Sequence, residues 1–260
     1  MSRHTTIRIR FSKLGKIRFT SHRDVARMWE RALRRAAVPV AYTEGFSPHP
    51  KLSFGLALST GHESLGEYLD VDIDEQRPEL DTPVDIEALP ARLDPCLPVG
   101  LDVQVAAEIA PGTPSLQQAV TSCTWRIEVT DVDHQDLADR VARCLGADAL
   151  VVTRERKGQK VTDDLRPAIL SLEVERGELL TELATQPRGV RPSELVALLA
   201  HEREELREGR VCRIHQWLNA DGARAEPLPL LHPATSASRR EHPDVRSATG
   251  AELCSQGATG

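Results

Sequence analysis

From residue 7 to residue 109 the hydrophobic period switches from two to 3.6 and back, in one fixed order. Ile7, Ile9 and Phe11 alternate with Arg8 and Arg10, the mark of a half-buried strand. Ser21 then reads as a helix cap with Asp24 three residues on, and the helix runs to about Ala36. Strands are predicted at Lys51–Leu58 and Glu67–Asp74, a short helix around Val84–Leu93, and a strand at Leu101–Ile109. That order is β-α-β-β-α-β, the split βαβ arrangement of ferredoxin-like domains. In such a sheet the first and third strands are antiparallel neighbours. Arg8 and Arg10 are therefore expected to face Asp70 and Asp72.

Pro111-Gly112-Thr113-Pro114 marks a boundary, and the same order of elements begins again. Strands are predicted at Trp125–Thr130 and Leu150–Arg156, and a hairpin at Ala168–Glu175 and Glu178–Ala184. Helices are predicted at His134–Leu145 and from Pro192 to about Glu208, with a last strand at Arg210–Leu218. From about Asn219 the chain is rich in Pro, Ala, Ser, Thr and Gly without periodicity, which predicts a disordered tail. The expected fold is α+β: two tandem ferredoxin-like domains at 1–112 and 113–218, and a disordered tail at 219–260.

Charge and aromatic residues are concentrated at one end. Residues 1–60 hold twelve Lys/Arg against three Asp/Glu, a net of +9 in a chain whose net is −6. Seven of the nine aromatic residues lie before residue 69. On the helix starting at Ser21, Val25, Met28, Trp29, Ala32 and Leu33 share one face. Arg23, Arg27, Arg31 and Arg34 cluster within about 80° on the other. Basic residues interleaved with aromatics are what a nucleic-acid or polyanion surface needs. A rigid Pro48-His49-Pro50-Lys51 loop adds His49 and Lys51 to the candidate binding set. The competing reading of that loop is a structural connection that packs Phe46 and Phe54.

His22, His49 and Lys51 also form a candidate catalytic set. Were they to converge, they would suit metal-independent RNA cleavage by general acid–base chemistry. The Asp70-Asp72-Asp74 face is the weakest candidate: carboxylates suit Mg²⁺, but pairing with Arg8 and Arg10 competes. The five cysteines are widely spaced and odd in number, without a CxxC, which points to reduced thiols in a cytoplasmic protein. No zinc spacing, P-loop or GxGxxG is present, so no cofactor is expected. No apolar run approaches the length of a membrane span.

Several strings carry a family resemblance, and the Gly45–Gly55 string among them is specific. They are Lys13-x-Gly15-x-x-Arg18-Phe19-x-Ser21-His22-x-Asp24, Arg31-Ala32-x-Arg34-Arg35-Ala36 with Pro39-Val40, and Gly45-Phe46-x-Pro48-His49-Pro50-Lys51-x-Ser53-Phe54-Gly55. Glu67-Tyr68-x-Asp70 and Asp164-x-Arg166-Pro167 also fit. Together they resemble the uncharacterised radical SAM-linked domain of bacteria, which is fused to, or encoded beside, a cobalamin-binding-type radical SAM protein. The resemblance covers roughly residues 5–218 and implies a radical SAM partner. The family's gene neighbourhoods, with an E/G-type ribonuclease and ribosomal proteins, imply RNA or ribosome biology. Radical SAM chemistry needs closely spaced cysteines for its cluster, and this chain has none, so the resemblance implies an accessory role. A pure protein–protein adaptor is the remaining expectation.

Overall fold

The computed structural model describes residues 4–74, 84–156, 158–200, 206–220 and 222–230. Residues 1–229 form one compact unit and 230–260 a second, of which only Leu230 is among the described residues. The architecture is mixed α/β, with a large mixed sheet and few helices.

The first half contains β1 (His4–Lys13), a 3₁₀ turn (Gly15–Phe19), α1 (His22–Arg35), β2 (Leu52–Phe54), β3 (Glu63–Asp74), α2 (Leu89–Leu93) and β4 (Leu101–Ile109). The second contains α3 (Leu116–Ala119), β5 (Val120–Thr130), α4 (His134–Gly146), β6 (Val151–Arg156), β7 (Gln159–Asp164), β8 (Ile169–Glu175), β9 (Glu178–Ala184), α5 (Pro192–Leu199), β10 (Arg207–Ala220) and β11 (Ala223–Ala225). One sheet runs β4-β1-β3-β10-β5-β9-β8, with β2 on β3 and β11 on β10; β6 and β7 pair separately. The first four strands lie in the order β4-β1-β3-β2, all antiparallel. The same order recurs in the second half as β10-β5-β9-β8. The halves meet at a short parallel seam, where Cys212 and Arg213 of β10 pair with Glu63 and Ser64 of β3.

Two cores lie on either side of that seam. In the first, Ile7, Ile9, Phe11, Leu69, Val71 and Ile73 meet Val25, Trp29, Ala32 and Leu33 of α1. Phe11 and Trp29 pack edge to face at 4.8 Å, a favoured aromatic geometry. In the second, Ile127, Val129, Leu172 and Leu179 meet Leu137 and Val141 of α4 and Leu195, Val196 and Leu199 of α5.

The expected register of β1 against β3 is present, with Arg8 opposite Asp70. Their side chains make a buried bidentate pair at 2.7 and 2.8 Å. Arg10 departs from expectation. It bonds Gln104 at 2.8 Å and Glu226 at 2.5 Å, while Asp72 accepts from Thr6. The polar face of β1 is also buried rather than solvated, with Arg8 2% and Arg10 3% exposed.

Other differences have local causes. Leu14-Gly15-Lys16 reads as a turn in the sequence, and Gly15 takes a positive φ of 73°; Ile17-Arg18-Phe19, expected to be extended, instead continues that turn as 3₁₀ helix. The expected Lys51–Leu58 strand shortens to β2, and Leu58 instead joins the second core. The polar strand β7 has no counterpart in the sequence pattern, because its hairpin lies off the main sheet. The helix expected at 84–93 begins only at Leu89. The helix from Pro192 stops at Leu199; of its expected continuation to about Glu208, residues 201–205 lie outside the described residues, while Arg207 and Glu208 already belong to β10. The chain does not lose order at Asn219: β10 continues to Ala220, and β11 folds back on it. The rest of the expected tail, 231–260, lies outside the described residues.

Candidate functional site

The Ser21 hydroxyl oxygen accepts the Asp24 backbone N–H at 3.2 Å and caps α1, as the sequence predicts. That cap sets the start of the helix and so the direction of each face. Val25, Trp29, Ala32 and Leu33 are buried; Arg23, Arg27, Arg31, Arg34 and Arg35 are exposed. Arg27 lies 3.8 Å from Asp24, a loose exposed pair. Among the described residues no carboxylate lies within ion-pair distance of Arg23, Arg31, Arg34 or Arg35. The helix therefore presents uncompensated cations. Arg35 lies at the flank of the stripe in the last turn, beyond the arc of about 80° that holds the other four arginines. At the other end, the exposed Phe19 ring carries the Arg18 guanidinium at 4.6 Å.

The loop residues are arranged differently. Thr43 and His49 pair through their backbones, closing the turn with the Tyr42–Pro50 bridge. His49 is exposed, and Phe46 is fully exposed rather than packed. Lys51 is tied through its backbone to Ala41 and Asp72. His22 sits edge-on to Phe54 at 5.1 Å. Among the described residues, no hydrogen bond joins His22, His49 and Lys51 to one another. Asp70 is engaged by Arg8 and Asp72 by Thr6. Among the described residues, no cluster of three or more His, Cys, Asp or Glu could hold a metal ion.

A polar layer that the sequence reading missed lies on the inner face at the seam. Lys13 and Glu67 continue the inward registers of Phe11 and Leu69. Lys13 donates to the carbonyls of Arg18 and Thr20 at 3.2 and 3.3 Å. Glu67 holds Arg213 through both oxygens at 2.6 and 2.7 Å, and Arg213 also donates to the Leu56 carbonyl at 2.8 Å. Arg213 lies over the Trp125 ring at 5.3 Å. Burial pushes the Lys13 amine down; Glu67 opposes this and Arg213 adds to it. Nearby Glu63 accepts the Gly15 N–H and pairs with Arg18 and Arg210. Burial alone would raise the Glu63 carboxyl, but these partners hold it below its ordinary value.

Lys13, Glu67, His22 and Phe54 line a cavity of about 20 Å³. That is room for a water and little more. The cluster is therefore a satisfied network joining the two cores, not a substrate pocket. The available sequence signal was a polar residue at an inward-facing strand position. Burial also pushes the Cys123 and Cys212 thiols up to about 11, which keeps them as protonated small hydrophobes.

Among the described residues, no helix is long and apolar enough to cross a membrane. A search of the curated proteins finds no match. A family model described as "Uncharacterized protein conserved in bacteria (DUF2344)" matches residues 6–204, from β1 past the end of α5. The stretch includes the arginine helix, the Gly45–Gly55 string and Lys13 with Glu67, and it covers most of the chain: the protein belongs to this bacterial family.

Proposed function

We propose that this protein is a non-catalytic accessory module that binds RNA or another polyanion through the arginine face of α1. The observation carrying this reading is that Arg23, Arg31, Arg34 and Arg35 stand exposed on a helix locked to the core, with no carboxylate among the described residues within ion-pair distance of them. Guanidinium groups so placed suit phosphate oxygens, and such contacts weaken with salt. Exposed Phe19, Tyr42 and Phe46 on the same half offer rings on which unpaired bases stack. His49 and Lys51 belong to the proposed set as neighbouring sequence elements.

The finer fold reading belongs here too. The repeated strand order supports two ferredoxin-like modules merged into one sheet. A radical SAM partner is supported by the resemblance of the Gly45–Gly55 string and its companions. Affinity purification of the chain from its own cells, with bound protein and bound RNA both identified, tests that partnership; recovery of neither a radical SAM protein nor RNA counts against it.

The arginine face has a direct test. Charge reversal at Arg27→Glu and Arg31→Glu together should weaken RNA binding at least tenfold and flatten its dependence on salt. Equal binding by parent and double variant across a salt titration would overturn the reading.

A further inference from the structure

Beside the arginine stripe, between α1 and the turn that follows α2, lies a groove of about 320 Å³ lined by Met28, Arg31, Arg35, Cys96, Leu97 and Pro98. We propose that it seats one unpaired base of a single-stranded nucleic acid, with the adjoining phosphates held by Arg31 and Arg35. This rests on the polyanion reading above and narrows it to a single-stranded ligand.

The lining supports this occupant. Met28, Cys96, Leu97 and Pro98 form an apolar wall, and the two charged members are exposed arginines at its edge. Among the described residues the lining contains no carboxylate. A bare phosphate gains nothing from an apolar wall. A nucleotide has both an apolar planar body and an anionic edge, and it matches both parts of the groove. The volume falls within the range of clefts that take small molecules, about 300–1,000 Å³. A base inside a duplex is stacked on both faces and cannot enter, whereas an unpaired base can be splayed out and laid against guanidinium and apolar groups.

The walls are fixed before any ligand arrives. Trp29 and Leu33 anchor α1 in the core, and Leu97 is itself buried. Arg92 donates to the Ala36 carbonyl at 2.7 Å, tying α2 to the end of α1. The Asp94 carboxylate accepts the Val103 N–H at 2.8 Å, which tethers the turn to β4.

The test compares a short oligoadenylate with an abasic phosphodiester chain of the same length, so that charge is matched and only the bases differ. The parent should hold the oligoadenylate about tenfold more tightly. Oligoadenylate should also slow alkylation of Cys96 by N-ethylmaleimide, read on the Cys96 peptide by mass spectrometry, and the abasic chain should not. Met28→Gln, which replaces an apolar member of the wall with a neutral amide of similar size, should weaken the preference several-fold while keeping the affinity for the abasic chain. Equal binding of both chains by the parent, lost on Arg27→Glu with Arg31→Glu, overturns the groove and leaves the polyanion reading standing. Equal protection of Cys96 by both chains also overturns it. Binding of neither chain overturns both.

Discussion

Lys13 shows how much one side chain can be set by its strand register. Its neighbours on the inward face are Ile7, Ile9 and Phe11, so the pleat drives an ammonium into the interior. The cost of burial is met by two carbonyl oxygens and the nearby Glu67 carboxylate. Glu67 therefore compensates two buried cations, Lys13 and Arg213. Glu67→Ala should destabilise the fold by about 3–5 kcal/mol, because it leaves Arg213 buried without its carboxylate. Adding Arg213→Met should recover part of that loss, and urea denaturation of the single and double variants measures both. A double variant no more stable than Glu67→Ala would contradict this account. The opposite case is Phe46. An aromatic residue in a Gly/Pro-punctuated loop has no register to fix its direction, and it is fully exposed.

Among the elements, α1 carries the clearest link from local sequence to proposed function. Its cap, its buried stripe and its exposed arginines follow from spacing alone, because the 3.6-residue period and the Ser21 hydroxyl act within a few residues. Ser21→Ala should lower stability by about 1 kcal/mol, read as a shift in the denaturation midpoint. An unchanged midpoint would mean that tertiary contacts alone hold the start of the helix. β4 and the hairpin around Arg176-Gly177 were equally legible, since alternation and a Gly turn are local signals. β7 was not. Its sequence, Gln-Lys-Val-Thr-Asp-Asp, pairs only with β6 and has no buried face to impose apolar alternation.

At the scale of the whole molecule, Glu226 ties the end of the described chain back to its beginning. Its carboxylate accepts from Arg10 at 2.5 Å and pairs with His215 Nδ1 at 2.7 Å. Beside it, Arg224 lies 3.8 Å over the Trp217 ring. Burial alone would raise the Glu226 carboxyl, but His215 and Arg10 hold it below its ordinary value of 4.5. A carboxyl depressed in the folded state stabilises it above the unfolded pKa, and that stability is lost as pH falls through the folded value. Stability should therefore decline in acid below about pH 4.5. Glu226→Gln should cost about 1–3 kcal/mol at neutral pH and make the acid decline shallower. Chemical denaturation across pH checks both, and parallel pH profiles for parent and variant would contradict the role given to Glu226.

The sequence alone determined the identity and order of most elements, the two faces of α1 and the pairing of Arg8 with Asp70. Each depends on a period, a cap, or a strand order that short connections enforce. The tertiary structure decided which inward polar residues meet, where Arg10 finds its carboxylate, and that two repeats of one strand order share a sheet. Those outcomes join residues far apart in sequence: Glu67 to Arg213 across 146 positions and Arg10 to Glu226 across 216. They are fixed by the parallel seam of β3 and β10, a contact that no local pattern encodes.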